Sequence, residues 1–164
     1  MDLHNIRESY NFDSLDETKV NQDPMIQFKN WFSQYKALGI KDYNAMAVST
    51  IRNNEPDSRI VLLKELTDEG FVFYSNYNSA KGKSLSENPN VSVLFFWREQ
   101  ERQVRINGVV SKLGKQESAT YFENRPYLSQ IGAAASNQSN PIESRAAWEN
   151  KFEKFRDTFP EGTH

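Results

Sequence analysis

Apolar residues recur at steps of three and four in one segment near the N-terminus, which reads DPMIQFKNWFSQYKALG. Asp23 is suited to cap a helix, and Pro24 suits its first position. The steps predict an amphipathic helix that ends near Gly39, with an aromatic stripe that packs in the core rather than against a cofactor. Residues 1–22 are polar and predict either an extended arm or a disordered tail.

From Asn44 onward the spacing of the apolar residues shortens to the period typical of β-strands. The segments AMAVSTI, RIVLLKEL and FVFYS predict three strands in meander order, separated by the turn segments RNNEPDS and TDEG. A short helix interrupts them, capped by Ser79 and stopped at Asn88-Pro89. VSVLFFW and RQVRINGVVSKL predict two further strands, the second bulged near Asn107-Gly108. Five strands joined by short links favour an antiparallel barrel or a strongly curved sheet.

The chain becomes helical again after Gly114. KQESATYFENR predicts a helix that Pro126 breaks, and the small-residue stretch LSQIGAAASNQS fits no clear pattern. Ser144 is suited to cap a last helix. The face of that helix carries four aromatic residues: Trp148, Phe152, Phe155 and Phe159. The predicted order is therefore a helix, a five-stranded barrel and then helices.

The amino-acid composition argues against several classes of catalytic and binding site. The 164 residues suit one domain, with no cysteine and only two histidines, His4 and His164, near the chain ends. This argues against thiolate catalysis, a Ser-His-Asp triad and a metal site. The net charge of -2 gives no basic field for nucleic acid, and no apolar run approaches the ~20 residues of a membrane span. The N-terminus has no secretory signal pattern, so we expect a cytoplasmic protein.

The side chains that remain for catalysis are Lys, Arg, Tyr, Ser and the carboxylates, and this set favours chemistry by a bound cofactor. Proteins most often recognise a cofactor through its phosphate group. Tyr74 and Ser75 end a predicted strand, and Lys81 and Lys83 follow at the predicted start of a helix capped by Ser79. Hydroxyls, ammonium groups and backbone N–H groups together make a candidate anion cradle. The alternative is a solvated turn with ordinary lysines. SAKGKS lacks Walker-loop spacing, and no G-x-G-x-x-G occurs.

A second candidate anion cluster lies in YFENRPYLSQIG, where Tyr121, Arg125 and Ser129 recur every four residues. Helical spacing would place Tyr121 and Arg125 on one face, although Arg125 alone suits a surface ion pair equally well. On a regular strand, Arg59 and Lys64 point to opposite faces.

Two further polar segments complete the candidates. Gln103 lies on a strand whose other residues are predicted to be buried, so we expect it to need a partner, either a flavin ring or a backbone group. Asn137-Gln138-Ser139 has no periodic pattern and predicts a loop.

In this order, the segments IRESY, DPMIQFKNWF, RIVLLK, FVFYSNYNSAKG, ERQVRINGVV and YFENRPYLSQIGAAASNQS resemble the pyridoxine/pyridoxamine 5'-phosphate oxidase family. The resemblance implies a mainly β fold with flanking helices: an antiparallel, Greek-key-like, FMN-binding split β-barrel that forms a homodimer. It also implies the reaction, in which a hydride passes from the substrate's C4' to FMN and oxygen reoxidises the flavin to give hydrogen peroxide. Residues 1–22 would then be an arm that covers the substrate, and residues 23–164 the FMN-binding domain.

Carried over residue by residue, the resemblance implies two sets of ligand contacts. The FMN contacts are Arg59, Ile60, Val61, Leu62, Tyr74, Ser75, Lys81, Gln103, Gln138 and Ser139. The contacts to pyridoxine or pyridoxamine 5'-phosphate are Arg7, Tyr10, Lys64, Tyr121, Arg125 and Ser129. No side chain is assigned as a catalytic acid or base, because hydride transfer depends mainly on proximity and orientation.

The sequence departs from the family pattern in two places. Ala80 stands where the family commonly has Arg, so one guanidinium contact to the FMN phosphate is missing. The sequence ends at FPEGTH, before the family's WGGY-like, EFWQG-like and RLHDR-like segments. Three hypotheses follow: an active oxidase, a truncated or non-catalytic FMN- or pyridoxal-phosphate-binding module, and an incompletely folded fragment with unpaired strand edges.

Overall fold

A computed structural model describes residues 1–162, so Thr163 and His164 lie outside the described residues. Helix α1 covers Pro24–Lys36, with Pro24 in its first turn. The Asp23 carboxylate accepts hydrogen bonds from the backbone N–H groups of Met25 and Ile26, at 2.8 and 3.3 Å. Gly39, at φ 69°, follows the helix. The predicted first helix is thus confirmed, including its cap.

Four of the six strands form one sheet in the order β2-β1-β5-β6. Their bounds are Ala45–Arg52 for β1, Glu55–Leu62 for β2, Asn90–Trp97 for β5 and Arg102–Val109 for β6. Strands β3 (Glu65–Leu66) and β4 (Phe71–Val72) pair antiparallel in a second, two-stranded sheet. A short 3-10 helix, Arg98–Gln100, joins β5 to β6.

The strands differ from the prediction at their ends. The turn before β2 contains only Asn53 and Asn54, both at positive φ, so the strand begins at Glu55 rather than Arg59. Pro56 is tolerated because β2 is an edge strand. The predicted strand RIVLLKEL is broken after Leu62, and its end pairs with β4 in the separate sheet. Likewise, β6 ends at Val109, well short of the predicted end at Leu113.

The chain divides into two compact units. The first unit contains Met1–Val48, Ser58–Phe73 and Ser92–Asn107. Its core is rich in aromatic residues, and Phe28 of α1 lies within 6 Å, centroid to centroid, of the rings of Phe32, Phe71, Phe95 and Trp97. The aromatic stripe of α1 therefore packs in a core, as predicted.

The second unit contains Ser49–Asp57, Tyr74–Val91 and the chain from Gly108 onward. It holds the other four helices: α2 (Ala80–Glu87), α3 (Lys115–Glu123), α4 (Tyr127–Ala135) and α5 (Arg145–Thr158). Helix α4 packs on α5, whose N-terminus is capped by Ser144, as predicted. No helix among the described residues is both long and apolar enough to cross a membrane.

Candidate functional site

The connection from β4 to α2 is built around Ser79, whose side chain is fully buried. Its hydroxyl donates to the carbonyl of Asn76 at 2.6 Å and accepts from the backbone N–H of Gly82 at 3.2 Å. These two bonds tie the loop to the first turn of α2. The predicted cap is confirmed, and it fixes where the next residues of the helix point.

This tight connection requires Gly82, a residue that the sequence pattern did not single out. A Cβ on Gly82 would lie 2.2 Å from the carbonyl oxygen of Tyr77 and 2.8 Å from that of Asn76. Both are backbone atoms and cannot rotate away. A glycine inside an eight-residue helix, against helix propensity, is the signal that could have revealed it.

Lys81 and Gln138 come together in the second unit although 57 residues separate them in sequence. The Lys81 ammonium donates to the Gln138 side-chain oxygen at 2.9 Å and to the Ser79 hydroxyl at 3.4 Å. Gln138 and Ser139 lie in the loop after α4, as predicted, with Ser139 at φ 66°. Two residues of the predicted FMN set thus share one polar cluster.

Ser75 offers a test of whether this region fits a phosphorylated cofactor. Its hydroxyl oxygen is buried and has no hydrogen-bond partner among the described residues. A buried hydroxyl without a partner is costly, and a phosphate oxygen is an acceptor that would satisfy it. Lys81 belongs to the same unit and supplies an ammonium group, so the donors of this unit fit an anionic group.

Tyr74 of the predicted FMN set stacks directly on Tyr121 of the predicted substrate set. The ring centroids are 3.5 Å apart, and the planes differ by 1°. Tyr74 follows β4, whereas Tyr121 lies in the second half of α3. The structure therefore brings one member of each predicted set into contact.

Tyr121 lies in α3, but Arg125 lies beyond the end of that helix, so helical spacing does not place the two on one face as expected; the predicted break at Pro126 is confirmed. Helix α3 ends at Glu123, and α4 begins at Tyr127, after Pro126. Proline lacks an N–H and disfavours helical backbone in the residue before it, so the four-residue spacing does not continue across this junction.

The junction nevertheless presents Arg125 in a fixed backbone position. Its N–H donates to the carbonyl of Phe122 at 3.1 Å, and its carbonyl accepts from the Gln130 side chain at 2.8 Å. The guanidinium is 5.8 Å from the Phe122 ring centroid. Within residues 1–162 no carboxylate forms an ion pair with it. The alternative of a surface ion pair within this chain is therefore not observed.

The remaining FMN-set residues lie in the first unit. Arg59 is half-buried, and its guanidinium donates to the carbonyl of Val48 at 3.1 Å. Ile60 is exposed, and Val61 and Leu62 are half-buried. Lys64 of the substrate set falls after β2 ends, in the break between two strands. Arg59 and Lys64 therefore do not share one regular strand, on which they would point to opposite faces.

Gln103 is exposed, so the prediction of a buried amide is wrong. Strand β6 lies at the edge of its sheet, and its half-buried positions are Arg102, Val104 and Ile106. Gln103 takes the opposite face, as the two-residue period of a strand requires. The buried amide is instead Gln100, in the 3-10 helix before β6.

The N-terminal arm contains two parts. Arg7 and Tyr10 are exposed, Tyr10 to 83%. From Phe12 onward the arm is attached to the residues just before β6, since the Phe12 N–H donates to the Glu101 carboxylate at 2.7 Å.

Comparison with known proteins gives concordant matches. The family model described as pyridoxamine 5'-phosphate oxidase matches residues 33–159. A pyridoxine/pyridoxamine 5'-phosphate oxidase of Actinobacillus pleuropneumoniae serotype 5b is 45% identical over 146 residues, which cover 89% of this chain and 70% of the relative. One of Flavobacterium psychrophilum is 46% identical over 158 residues, covering 95% and 74%.

Solved structures agree on the fold. PhzG from Burkholderia lata 383, in complex with tetrahydrophenazine-1-carboxylic acid, has a TM-score of 0.83 at 23% identity, covering 89% of this chain and 74% of that one. A pyridoxamine 5'-phosphate oxidase-related, FMN-binding protein from Nostoc punctiforme has a TM-score of 0.61 at 13% identity, covering 79% and 73%. The predicted class, an antiparallel split barrel with flanking helices, is confirmed.

Proposed function

Because this chain belongs to the pyridoxamine 5'-phosphate oxidase family, we propose that it binds FMN and oxidises pyridoxine or pyridoxamine 5'-phosphate to pyridoxal 5'-phosphate. Oxygen is the final acceptor and is reduced to hydrogen peroxide; with the amine substrate, water hydrolyses the imine formed by oxidation, and ammonia is released. The observation that carries the proposal is the stack of Tyr74 on Tyr121, since hydride transfer requires cofactor and substrate to lie side by side.

In this proposal, FMN is held by the residues that the family resemblance implies: Arg59, Ile60, Val61, Leu62, Tyr74, Ser75, Lys81, Gln103, Gln138 and Ser139. The unpartnered Ser75 hydroxyl donates to a phosphate oxygen, and Lys81 supplies a positive charge. FMN bound there would supply the two-electron redox chemistry that connects the substrate to oxygen. The protein's own contribution is to bind and orient the two ligands.

The substrate phosphate is bound by Tyr121, Arg125, Ser129 and Lys64. Arg125 suits this role because its backbone is held on both sides and its guanidinium has no carboxylate partner among residues 1–162. A planar guanidinium binds a phosphate through two parallel hydrogen bonds. Arg7 and Tyr10 of the arm complete the substrate contacts.

We further propose that the protein is a homodimer. Ile60 of β2 and Phe96 of β5 are 67% and 66% exposed, which is unusual for large apolar residues in the strands of a sheet. A second copy that covers them would remove this apolar area from water. Sedimentation equilibrium tests this directly: Phe96→Glu is expected to shift the population to monomer, and a wild-type monomer would contradict it.

The activity is tested with the FMN-loaded chain, pyridoxine 5'-phosphate and oxygen, by following pyridoxal 5'-phosphate and peroxide together. Arg125→Ala is expected to lower kcat/KM by about 10- to 100-fold, because a charged contact to phosphate is worth about 1.5–3 kcal/mol. Arg145→Ala is the matched control, since Arg145 pairs only with Glu149 on α5. Unchanged kcat/KM in Arg125→Ala would contradict the assigned role, and flavin binding without turnover would favour a binding module.

A further inference from the structure

Residues 12–22, here called the strap, are fixed to the first unit at both ends. At the start, the Phe12 N–H donates to the Glu101 carboxylate at 2.7 Å, and the Asp13 carboxylate lies 3.7 Å from the Arg102 guanidinium. At the end, the Asn21 N–H donates to the Gln27 side chain of α1 at 2.7 Å. The strap thus connects the start of β6 to the start of α1.

Arg102 is a rigid point of attachment. Its guanidinium lies 4.4 Å from the centroid of the Trp31 ring and within 3.4 Å of the side-chain oxygens of Gln34 and Gln100. Only 16% of the side chain is exposed. A guanidinium held on an aromatic face and by two amides is already oriented before Asp13 reaches it.

The middle of the strap contributes little packing. Leu15 and Val20 line a cavity of about 350 Å³ together with Phe28, Trp31 and Val104. Leu15 is itself 76% exposed. Because apolar contact is incomplete here, the polar contacts at the two ends account for the position of the strap.

Residues 1–11, the distal arm, behave differently. Their hydrogen bonds join only near neighbours, as between Ile6 and Leu3, His4 and Asp2, and Asn11 and Ser9. The last fixed point before the distal arm is therefore the Phe12 amide. Tyr10 lies two residues before this point, and Arg7 five residues before it.

We propose that Glu101 and Arg102 are positioning residues that hold Phe12 and Asp13 as the pivot of the distal arm, and so determine where Arg7 and Tyr10 meet the substrate. This inference rests on the proposed function, in which Arg7 and Tyr10 bind substrate. Glu101 and Arg102 directly precede Gln103 of the FMN set, so one short segment serves both the cofactor and the arm. A fixed pivot reduces the entropy lost when the arm closes over the substrate.

The test compares Glu101→Ala, which removes the acceptor, with Glu101→Gln, which keeps an oxygen at the same reach. Asp13→Asn weakens the second contact, and Asp2→Asn is the control because Asp2 contacts only His4 of the same arm. Two quantities are measured on the FMN-loaded full chain: hydrogen exchange of the Phe12 amide by NMR, and KM and kcat for pyridoxine 5'-phosphate.

We expect Glu101→Ala to speed exchange at Phe12 about tenfold and to raise KM about three- to tenfold, with kcat changed less than about twofold. Asp13→Asn should raise KM less, whereas Glu101→Gln and Asp2→Asn should resemble the wild type. Unchanged exchange in Glu101→Ala would overturn the pivot, and faster exchange with unchanged KM would overturn its positioning role. If the wild type fails to turn over, the proposed function fails, while the exchange data still decide whether the pivot exists.

Discussion

The two units of this chain differ in how much apolar surface they bury. In the first unit, α1 brings Phe28 and Tyr35 against aromatic residues of β4 and β5, and almost all the fully buried apolar side chains lie there. In the second unit, the buried apolar residues among those described are Ile131 and Ala135, and α3 and α5 have no fully buried residue.

The second unit instead contains a cluster of polar side chains and a buried hydroxyl without a hydrogen-bond partner among the described residues. The Ser75 hydroxyl has no partner among the described residues, and Lys81, Gln138 and Ser79 form one cluster. The first unit also has a buried polar atom of this kind, the Trp97 indole nitrogen, but Trp97 sits among aromatic rings of the core. The comparison indicates that changes in the first unit should cost stability, whereas polar changes in the second should cost ligand affinity.

Phe28→Ala should have the largest effect. Phe28 is 3% exposed and contacts four aromatic rings, so its removal leaves a cavity that the sheet cannot fill. We expect the free energy of unfolding to fall by about 3–5 kcal/mol, measured by urea denaturation. Ile26→Ala, on the exposed face of the same helix, is the control and should cost less than about 1 kcal/mol. Equal losses in the two variants would refute the aromatic core.

Gly82→Ala should lower stability although Gly82 lies in the second unit, because the added methyl group would clash with backbone atoms. The new methyl group would meet the carbonyl oxygen of Tyr77 at 2.2 Å, so the loop before α2 must move. We expect a loss of about 1–3 kcal/mol in unfolding free energy, together with weaker FMN binding. Gly132→Ala is the matched control, since its Cβ would make only an ordinary contact with Phe152 at 3.8 Å. A Gly82→Ala variant as stable as Gly132→Ala would show that the connection is not tight.

Tyr35 gives the first unit a pH dependence. Burial, and then its hydrogen bond to Glu99 at 2.7 Å, raise the pKa of Tyr35 to about 12, while the same bond lowers the pKa of Glu99. Because the folded state holds the phenol proton more tightly, the stabilisation is complete below pH 10 and is lost as the pH rises toward 12.

The measurement for Tyr35 is the difference in unfolding free energy between wild type and Tyr35→Phe. It should decline by about 2 kcal/mol between pH 9 and pH 11.5, since the other tyrosines are common to both proteins. A difference that stays constant over this range would mean that the phenol is not held in its neutral form.

Ser75→Ala should have the smallest effect on stability and a specific effect on the ligand. Removing a buried hydroxyl that has no partner among the described residues should not lower the unfolding free energy of the apoprotein, and relief of its desolvation cost should raise it slightly. The Kd for FMN, followed by quenching of flavin fluorescence, should rise about five- to tenfold. Ser118→Ala, a half-buried serine of α3, is the control. An unchanged Kd would remove Ser75 from the proposed phosphate site.

The capped helices were predictable because their signals are local. Asp23, Ser79 and Ser144 each satisfy backbone N–H groups within three residues, so each helix start is encoded in a few adjacent positions. Helix α4 was not predictable in this way. Its small residues Gly132 to Ala135 carry no polar and apolar alternation, and its position depends on packing against α5.

The missed features of the site depend on contacts distant in sequence or on the position of a strand in its sheet. The meeting of Lys81 with Gln138, 57 residues away, has no local signal. Gln103 is exposed because it lies on the uncovered face of the edge strand β6, and the strand pattern alone does not reveal which face is covered. Pro126 did signal a break in the helix, yet α3 ends at Glu123, two residues earlier than the segment KQESATYFENR indicated, so Arg125 falls outside it.

The most direct test of the central claim, that this chain holds FMN beside a phosphorylated pyridoxine, is a visible spectrum. The protein is mixed with FMN, desalted and then given pyridoxine 5'-phosphate without oxygen. We expect flavin absorbance to be retained after desalting and to bleach on addition of substrate, because both ligands bind and hydride is transferred. Retained flavin that does not bleach would contradict the oxidase function, and loss of flavin on desalting would contradict the cofactor site itself.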